Sequence, residues 1–402
     1  MTNIYSAIQV SKHVYWVGAI DWSIRDFHGY TTPHGSTYNA YLVMADKITL
    51  IDAVKAPFIE EMLTRIASVV DPSKIDYIIS NHSEQDHSGC LLEIISRVQP
   101  EKVYASSAGV KTLKEIFHAD AEILPVKDGQ SLSLGNMDLK FMETRMIHWP
   151  DSMFTWLEED GLLFSQDAFG MHLATFERFA DELPADMLKY EAATYYANIV
   201  LPYSQVVLKA LEKVAATGWK IRIFAPDHGP IWRNDLKWIM NLYKEWAMQF
   251  PTNKAVVVYA TMWHSTEKMA KAIAESLARE GVRVKLLSMN DVHRSEVVYE
   301  ILEAGALIVG SSTLNNNILP QMADVMTYLK GLKPANLIGA AFGSFGWSGE
   351  SVKDLETILR EMKVEIVADP VSVKHVPGNA VLEKCAELGK IDADQLKKRI
   401  VS

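Results

Sequence analysis

Cysteine is almost missing. The 402-residue chain has two, Cys90 and Cys385, and no Cys-x-x-Cys pair. That excludes an internal rubredoxin-type or iron–sulfur centre, which needs several thiolates. Both cysteines are expected to be reduced thiols, with Cys90 buried. Basic residues are also in deficit: 40 Lys and Arg against 50 Asp and Glu give a formal net charge of −10. Nucleic acid is therefore excluded as a partner, since phosphate binding needs a basic face. No apolar run reaches about 18 residues, so no membrane-spanning helix is expected. The first residues, Met1-Thr2-Asn3-Ile4-Tyr5-Ser6-Ala7, lack a charged segment followed by an apolar one, so no secretory signal and a cytoplasmic location are expected. Repeats and low-complexity tracts are absent.

Apolar residues make up 49% and charged residues 22%, a soluble, globular composition. The length allows two domains with full cores. Pro251-Thr252-Asn253 is a short polar break, which predicts domains at 1–250 and 251–402.

The richest segment follows the apolar, strand-like run 75–80. It reads Asn81-His82-Ser83-Glu84-Gln85-Asp86-His87-Ser88-Gly89. If the chain stays extended, His82, Glu84 and Asp86 point to one side, because strand side chains alternate. His87 then joins from a turn that Gly89 permits. Imidazole and carboxylate together suit iron, manganese or zinc. A solvated polar loop is the ordinary reading of such a cluster. Three further apolar runs weigh against it. His148 closes run 139–147, Asp167 closes 162–166, and His228 closes 221–225. Four strand ends each carrying ligand-type side chains point to one shared site on a sheet rim. Seven such side chains are too many for one metal ion.

From residue 254 the pattern becomes regular strand–helix alternation, with strands expected at 255–259, 282–287, 306–310, 337–342 and 364–367. Helices are expected at 266–279, 295–304, 321–329 and 351–362. That spacing predicts a parallel sheet with helices on both faces. Ligands of such sheets bind at the carboxyl ends of the strands. Three loops lie there. Thr261-Met262-Trp263-His264-Ser265-Thr266 opens a helix, and its hydroxyls and N–H groups make a phosphate cradle. It is neither G-x-x-x-x-G-K-[ST] nor G-x-G-x-x-G, so ATP and NAD are not favoured. The second loop contains Ser312, Thr313, Leu314, Asn315 and Asn316. The third contains Ser344, Phe345, Gly346, Trp347, Ser348 and Gly349. Glycine beside Phe and Trp can set an aromatic ring against a flat cofactor.

The pattern H-x-E-x-D-H, with single His, Asp and His ligands at long spacings, resembles the flavodiiron protein family. The likeness covers essentially the whole chain. It implies an N-terminal metallo-β-lactamase-like αββα sandwich followed by a C-terminal flavodoxin-like, doubly wound parallel sheet. It further implies that His82, Glu84 and His148 bind one iron, that Asp86, His87 and His228 bind the other, and that Asp167 bridges. FMN would be held by the three loops. His28 and Tyr195, from segments 26–30 and 195–199, would line the substrate pocket as proton donors or hydrogen-bond partners. The other histidines, including His34, His118, His172 and His264, receive no metal role. The activity implied is reduction of O2 to water, of NO to N2O, or both. Electrons would come through FMN from an external rubredoxin-like carrier. In the family the two sites of one chain are far apart, and a head-to-tail homodimer, or a dimer of dimers, joins one chain's flavin to the other's metals.

Two other readings compete. Zinc hydrolases of the αββα fold usually carry H-x-H-x-D-H; Glu84 in place of the second His makes this set harder and moves the preference toward iron. A flavodoxin-type carrier with a structural metal would need a closed, four-coordinate, Cys-rich site.

Overall fold

The computed structural model describes residues 4–118 and 121–401. The chain forms two compact units, residues up to 195 with 203–244, and residues 196–202 with those from 245 on. The division falls inside the helix Leu236–Met248 rather than at the polar break at 251–253.

The first unit is built on two sheets. One has seven strands, in the order Ile8–Gln9, Val14–Trp16, Tyr41–Val43, Thr49–Ile51, Tyr77–Ser80, Lys102–Ser106 and Ile123–Val126. The other has five, Ser131–Ser133, Asp138–Glu143, Met153–Leu157, Leu162–Gln166 and Ile223–Pro226. Alternation decides which side chains lie between the sheets. Tyr77 and Ile79 join Met153, Leu157 and Phe164 in one buried cluster. Ile78 faces the other way, into a second cluster with Met62 and Ile66 of the helix Ile59–Ala67 and Leu91 and Ile94 of the helix Leu91–Val98. Helix, sheet, sheet and helix thus form the expected αββα sandwich. Tyr41–Val43 and Thr49–Ile51 form an antiparallel hairpin in the seven-stranded sheet. The helices Ser107–Phe117 and Ala185–Tyr195 had no clear sequence signal.

The second unit has a parallel sheet in the order Arg283–Ser288, Lys254–Ala260, Ala306–Leu314, Ile338–Phe345 and then Glu365–Ile366. This is the flavodoxin order, with its topological switch between the first and third strands in sequence. Val371–Lys374 also pairs parallel with the end of Ile338–Phe345. That strand and the closing helix Asn379–Val401 lie beyond the expected last strand at 364–367. The helix packs against Ser265–Arg279, and Gly389 makes the approach possible: a Cβ there would sit 2.6 Å from the carbonyl oxygen of Ile273. Among the described residues, no helix is long and apolar enough to cross a membrane.

Asp392 is fully buried in this closing helix, and neither carboxylate oxygen has a hydrogen-bond partner. Burial pushes its carboxyl up to about 7. A folded chain that keeps a proton the unfolded chain has released loses stability as pH rises from about 4 to about 7, and the loss is complete above that. Asp392→Asn removes this titration. The variant should melt above the parent at pH 8, by roughly 2–4 kcal/mol of stability. The gap should shrink as pH falls toward 4. Melting curves whose separation does not change with pH would contradict this.

Candidate functional site

The strand Tyr77–Ser80 delivers its side chains differently from the simple alternation expected. The chain stays extended only to Glu84, at φ −61° and ψ 146°, and then winds into one helical turn, Gln85–Ser88. His82 and Glu84 come from the extended stretch, whereas Asp86 and His87 come from the turn. Gly89 is not left-handed. Its lack of a side chain matters because a Cβ would lie 2.3 Å from the Gln85 carbonyl oxygen. His148 also departs from expectation, because its strand, Asp138–Glu143, ends early. Residues 144–152 form the connection to the antiparallel strand Met153–Leu157, closed by the Thr144 N–H donating to Ser152 O at 2.9 Å, and His148 sits in it. Asp167 directly follows Leu162–Gln166, as expected, and His228 lies just past Ile223–Pro226.

All seven side chains converge and are buried. On one side, Glu84 Oε2 is 3.2 Å from His82 Nε2 and 3.1 Å from His148 Nε2. Asp167 Oδ2 lies 3.3 Å and 3.1 Å from the same two nitrogens. On the other side, Asp86 Oδ2 is 3.4 Å from His87 Nε2 and 3.1 Å from His228 Nε2. Asp167 Oδ1 lies 3.3 Å and 3.6 Å from those. One carboxylate therefore serves two clusters, one oxygen each. The His87 and His228 Nε2 atoms face each other at 3.1 Å.

The charges are strongly coupled. Burial opposes ionisation of Glu84, but His148, His28 and His82 outweigh it and hold its carboxyl far below the usual range. Asp167 is also buried and is held well down by His87, His148 and His82. Burial resists a charge on His87, yet Asp86, Asp227 and Asp167 raise it to about 10.

A second ring of residues orients these groups. Asp151 Oδ1 is 3.6 Å from His82 Nδ1, and Asp151 Oδ2 accepts from the Ser83 N–H at 2.7 Å and its hydroxyl at 2.6 Å. Asp227 Oδ2 is 3.7 Å from His87 Nδ1. His228 Nδ1 meets the Thr37 carbonyl at 2.6 Å. Asp52 accepts from the Asn81 backbone N–H at 2.6 Å and from its amide at 2.7 Å, fixing the start of the ligand segment. Gln166 donates to the Ile147 carbonyl and accepts from the Asp167 N–H at 2.7 Å, which ties the two loops carrying His148 and Asp167. Sequence reasoning missed Asp52, Asp151, Gln166 and Asp227. Only the position of Asp227 beside His228 offered a signal.

His28 is half-exposed and its Nε2 bonds Glu84 Oε1. Tyr195 is buried, with its ring 5.2 Å from that of His172 and 6.1 Å from that of His228. Burial and the Asp167 charge push its phenol well up, so it stays protonated. His172 is buried too, with Nδ1 2.7 Å from Ser36 Oγ; burial and the neighbouring His228 keep it neutral.

In the second unit, a cleft of about 460 Å³ opens at the carboxyl ends of the strands. Met262, Trp263, Ser265, Ser312, Thr313, Leu314, Asn315, Asn316, Ser344, Phe345, Gly346, Trp347 and Ser348 line it, together with His375 and Val376, which the sequence did not indicate. Thr261, His264, Thr266 and Gly349 are not part of its wall. Thr266 lies buried among the loops, its hydroxyl 3.0 Å from that of Ser312 and 2.9 Å from that of Ser344. His264 turns outward to Glu267, at 2.6 Å, so the helix Ser265–Arg279 starts without a side-chain cap. Asn315 and Asn316 both have positive φ and form the two-residue turn of a hairpin, closed by Leu314 pairing with Asn317. Trp263 is 86% exposed and Trp347 88%, so two indoles stand free at the cleft.

Comparison with known proteins gives the same division. The model of the ODP family beta lactamase matches residues 37–229, and that of flavodoxin matches residues 257–394. The rubredoxin-oxygen oxidoreductase of Megalodesulfovibrio gigas is 48% identical over 400 residues, 98% of this chain and 100% of that one. The nitric oxide reductase of Moorella thermoacetica is 43% identical, covering 95% of this chain and 97% of its own. Among solved structures, the rubredoxin oxygen:oxidoreductase from Desulfovibrio gigas superposes with a TM-score of 0.97 at 47% identity, over 99% of this chain and 100% of that one. The flavodiiron protein from Giardia intestinalis gives 0.93 at 33% identity, with 98% of each chain covered.

The chain belongs to the flavodiiron protein family. FMN and a non-haem diiron centre are its cofactors. The residues fit both. Two ring nitrogens facing each other, and Asp86 oxygens buried without hydrogen bonds, leave lone pairs that metal cations would satisfy. Three hydroxyls beside an uncapped helix N-terminus suit a phosphate, and free indoles suit a flat ring. A partner such as Asp151 steers a metal-bound imidazole and raises its basicity. In this flavodiiron protein, Asp151→Ala should weaken metal binding on the His82 side by about 10–100-fold. Metal titration of the apoprotein, read by metal content, tests this; an unchanged affinity would remove Asp151 from that role.

Proposed function

We propose that this flavodiiron protein reduces O2 to water, NO to N2O, or both, at irons held by His82, Glu84 and His148 on one side and by Asp86, His87 and His228 on the other. Asp167 is the bridge. The observation that carries this reading is the Asp167 carboxylate, with Oδ2 turned to the first group and Oδ1 to the second. In this reading the metal chemistry belongs to residues 1–250 and the flavin to 251–402. Bound there, two ferrous ions and a reduced flavin supply four electrons, the number needed to take O2 to two waters; two NO need only two. The chain's own groups hold and orient. Glu84 keeps one oxygen toward the metals while the other engages His28. His28, half-exposed, is placed to pass a proton inward from solvent. Tyr195 acts as a hydrogen-bond donor, since its phenol keeps its proton. The cleft residues hold FMN, with Ser312 and Ser344 toward its phosphate, Thr266 bonded behind them, and Trp347 toward its ring.

A zinc hydrolase is not favoured, given the family and Glu84. The electron donor in this reading is a reduced rubredoxin. The relative from Megalodesulfovibrio gigas carries that donor in its name, and this chain has no cysteine set for a rubredoxin centre of its own. The reading also includes a cytoplasmic location, in keeping with two buried free thiols.

The deciding experiment is O2 and NO consumption by one iron- and FMN-replete preparation with reduced rubredoxin. Anaerobically purified protein should carry two irons per chain. Asp167→Ala should lose most of both, because both groups share that residue. Stoichiometric zinc from iron-sufficient medium, with neither gas consumed, would sink the proposal.

The active unit in this reading is a two-fold dimer, the commonest soluble assembly, with electrons crossing between subunits. A metal-dead chain (Asp86→Ala with His148→Ala) and a flavin-dead chain (Thr266→Val with Trp347→Ala) can be mixed under subunit exchange. Mixed dimers should recover part of the activity, since each has one intact flavin–metal pair. Confirmed mixed dimers with no recovery would mean that each chain works alone.

A further inference from the structure

The five-stranded sheet of the first unit carries a small cavity on its outer face, beneath the helices Ser204–Ala216 and Leu236–Met248. The centre of a water-sized molecule has about 20 Å³ there. Its walls include Phe154 and Leu163 from the sheet, Val207 and Met240 from the helices, and Ile147 and Ala168 from two loops. The one polar group in the lining, the Tyr243 hydroxyl, is taken by the Phe169 N–H at 2.8 Å. The space would hold a water, which needs about 10–15 Å³, but a water also needs two to four polar partners. A pocket with so apolar a lining holds water poorly and takes up apolar atoms and small molecules.

Its position gives the cavity a use. Ile147 immediately precedes His148, and Ala168 immediately follows Asp167. The Gln166 amide, donating to the Ile147 carbonyl, ties those two loops to each other. The same pair of loops therefore supplies two walls of the cavity and two of the converging ligand side chains. Packing theory makes an empty space here a cost to stability that a larger side chain at residue 207 or 210 would relieve. O2 and NO are uncharged diatomics that partition into apolar surroundings, unlike the water and ions that a polar entrance admits.

We propose that this cavity is an apolar docking site for a small diatomic gas, O2 or NO, that raises the local supply beside the metal pocket. The proposal rests on the function given above and names a binding place that the ligand residues do not include. Occupancy can be read without turnover. Crystals of the cofactor-loaded enzyme pressurised with krypton should show the atom between Ile147, Ala168 and Val207. Val207→Phe should fill the space and abolish that occupancy, and Ala210→Leu is a milder filling variant should the first fold poorly. Lys209→Ala, an exposed change on the same helix outside the lining, should leave occupancy as it is. The filled variants should keep their iron, their FMN and their kcat at saturating gas, but should need several-fold more gas to reach half-maximal rate. Absence of krypton from the parent cavity would overturn the proposal. So would filled variants whose gas dependence is unchanged. Krypton in the cavity of an enzyme that consumes neither gas would support the apolar site and overturn the proposed function instead.

Discussion

Seven ionisable side chains buried in one place set the terms for the rest of the first unit. An isolated charge is expensive to take out of water, and a buried pair is tolerable only where geometry and hydrogen bonds compensate. Here three carboxylates and four imidazoles are interleaved, so that each carboxylate oxygen turned inward meets at least one imidazole nitrogen within 3.6 Å. Asp167 is the pivot because it is the one residue that touches both groups. The arrangement is still incomplete as protein alone. The His87 and His228 Nε2 atoms point at each other, so a proton between them is spent on that pair while the Asp86 oxygens stay without hydrogen bonds. Cations among these groups would satisfy what the protein leaves unbonded, which links metal binding to the order of the ligand loops.

The sandwich makes such convergence possible. Each ligand comes from the end of a strand or the connection after it, where the backbone is free to turn but its starting point is fixed by the ladder. The cost is that these turns need their own anchors. Asp52 holds Asn81, and Asn81 in turn accepts from the Thr155 hydroxyl at 2.6 Å, so the first ligand segment is pinned to both sheets. Asp52 is buried, and that burial raises it to about 6 despite the two Asn81 bonds. Asp227 is also raised, by burial and by the Asp52 charge. The second ring is therefore under electrostatic tension of its own, which cations in the centre would lower.

Much of this was legible in the sequence, for a physical reason. Metal ligands are chemically rare side chains, and buried strands are continuous apolar runs, so a ligand after a strand stands out. Tyr77–Ser80, Leu162–Gln166 and most of the parallel sheet were readable in this way. Local geometry was not. The run 139–147 is apolar enough to read as strand throughout, yet it bends after Glu143 because the Thr144–Ser152 bond closes a connection that only the partner strand Met153–Leu157 makes possible. Asp86 is moved off the extended chain by a single helical turn, and four residues carry no usable helical periodicity. The orienting residues were illegible for a different reason. Asp151 and Asp52 are ordinary loop carboxylates in sequence, and only folding puts them against His82 and Asn81.

The second unit shows how a site can be legible in its parts but not in its shape. Its cleft lies where strand order reverses, as topology requires. Two features could not be read from residue types. The strand Ala306–Leu314 runs past the expected loop start and folds back through Asn315 and Asn316, so those residues are presented by a rigid hairpin rather than a loose turn. Val371–Lys374 adds a strand whose exit brings His375 and Val376 to the cleft. Both features stiffen the rim, which lowers the entropy lost when a cofactor is held. The hydroxyls at and behind the cleft show the same economy of motion. Ser312 and Ser344 come from the ends of two strands and Thr266 from the first turn of a helix, and all three already bond one another, so a phosphate would meet donors whose positions are set before it arrives.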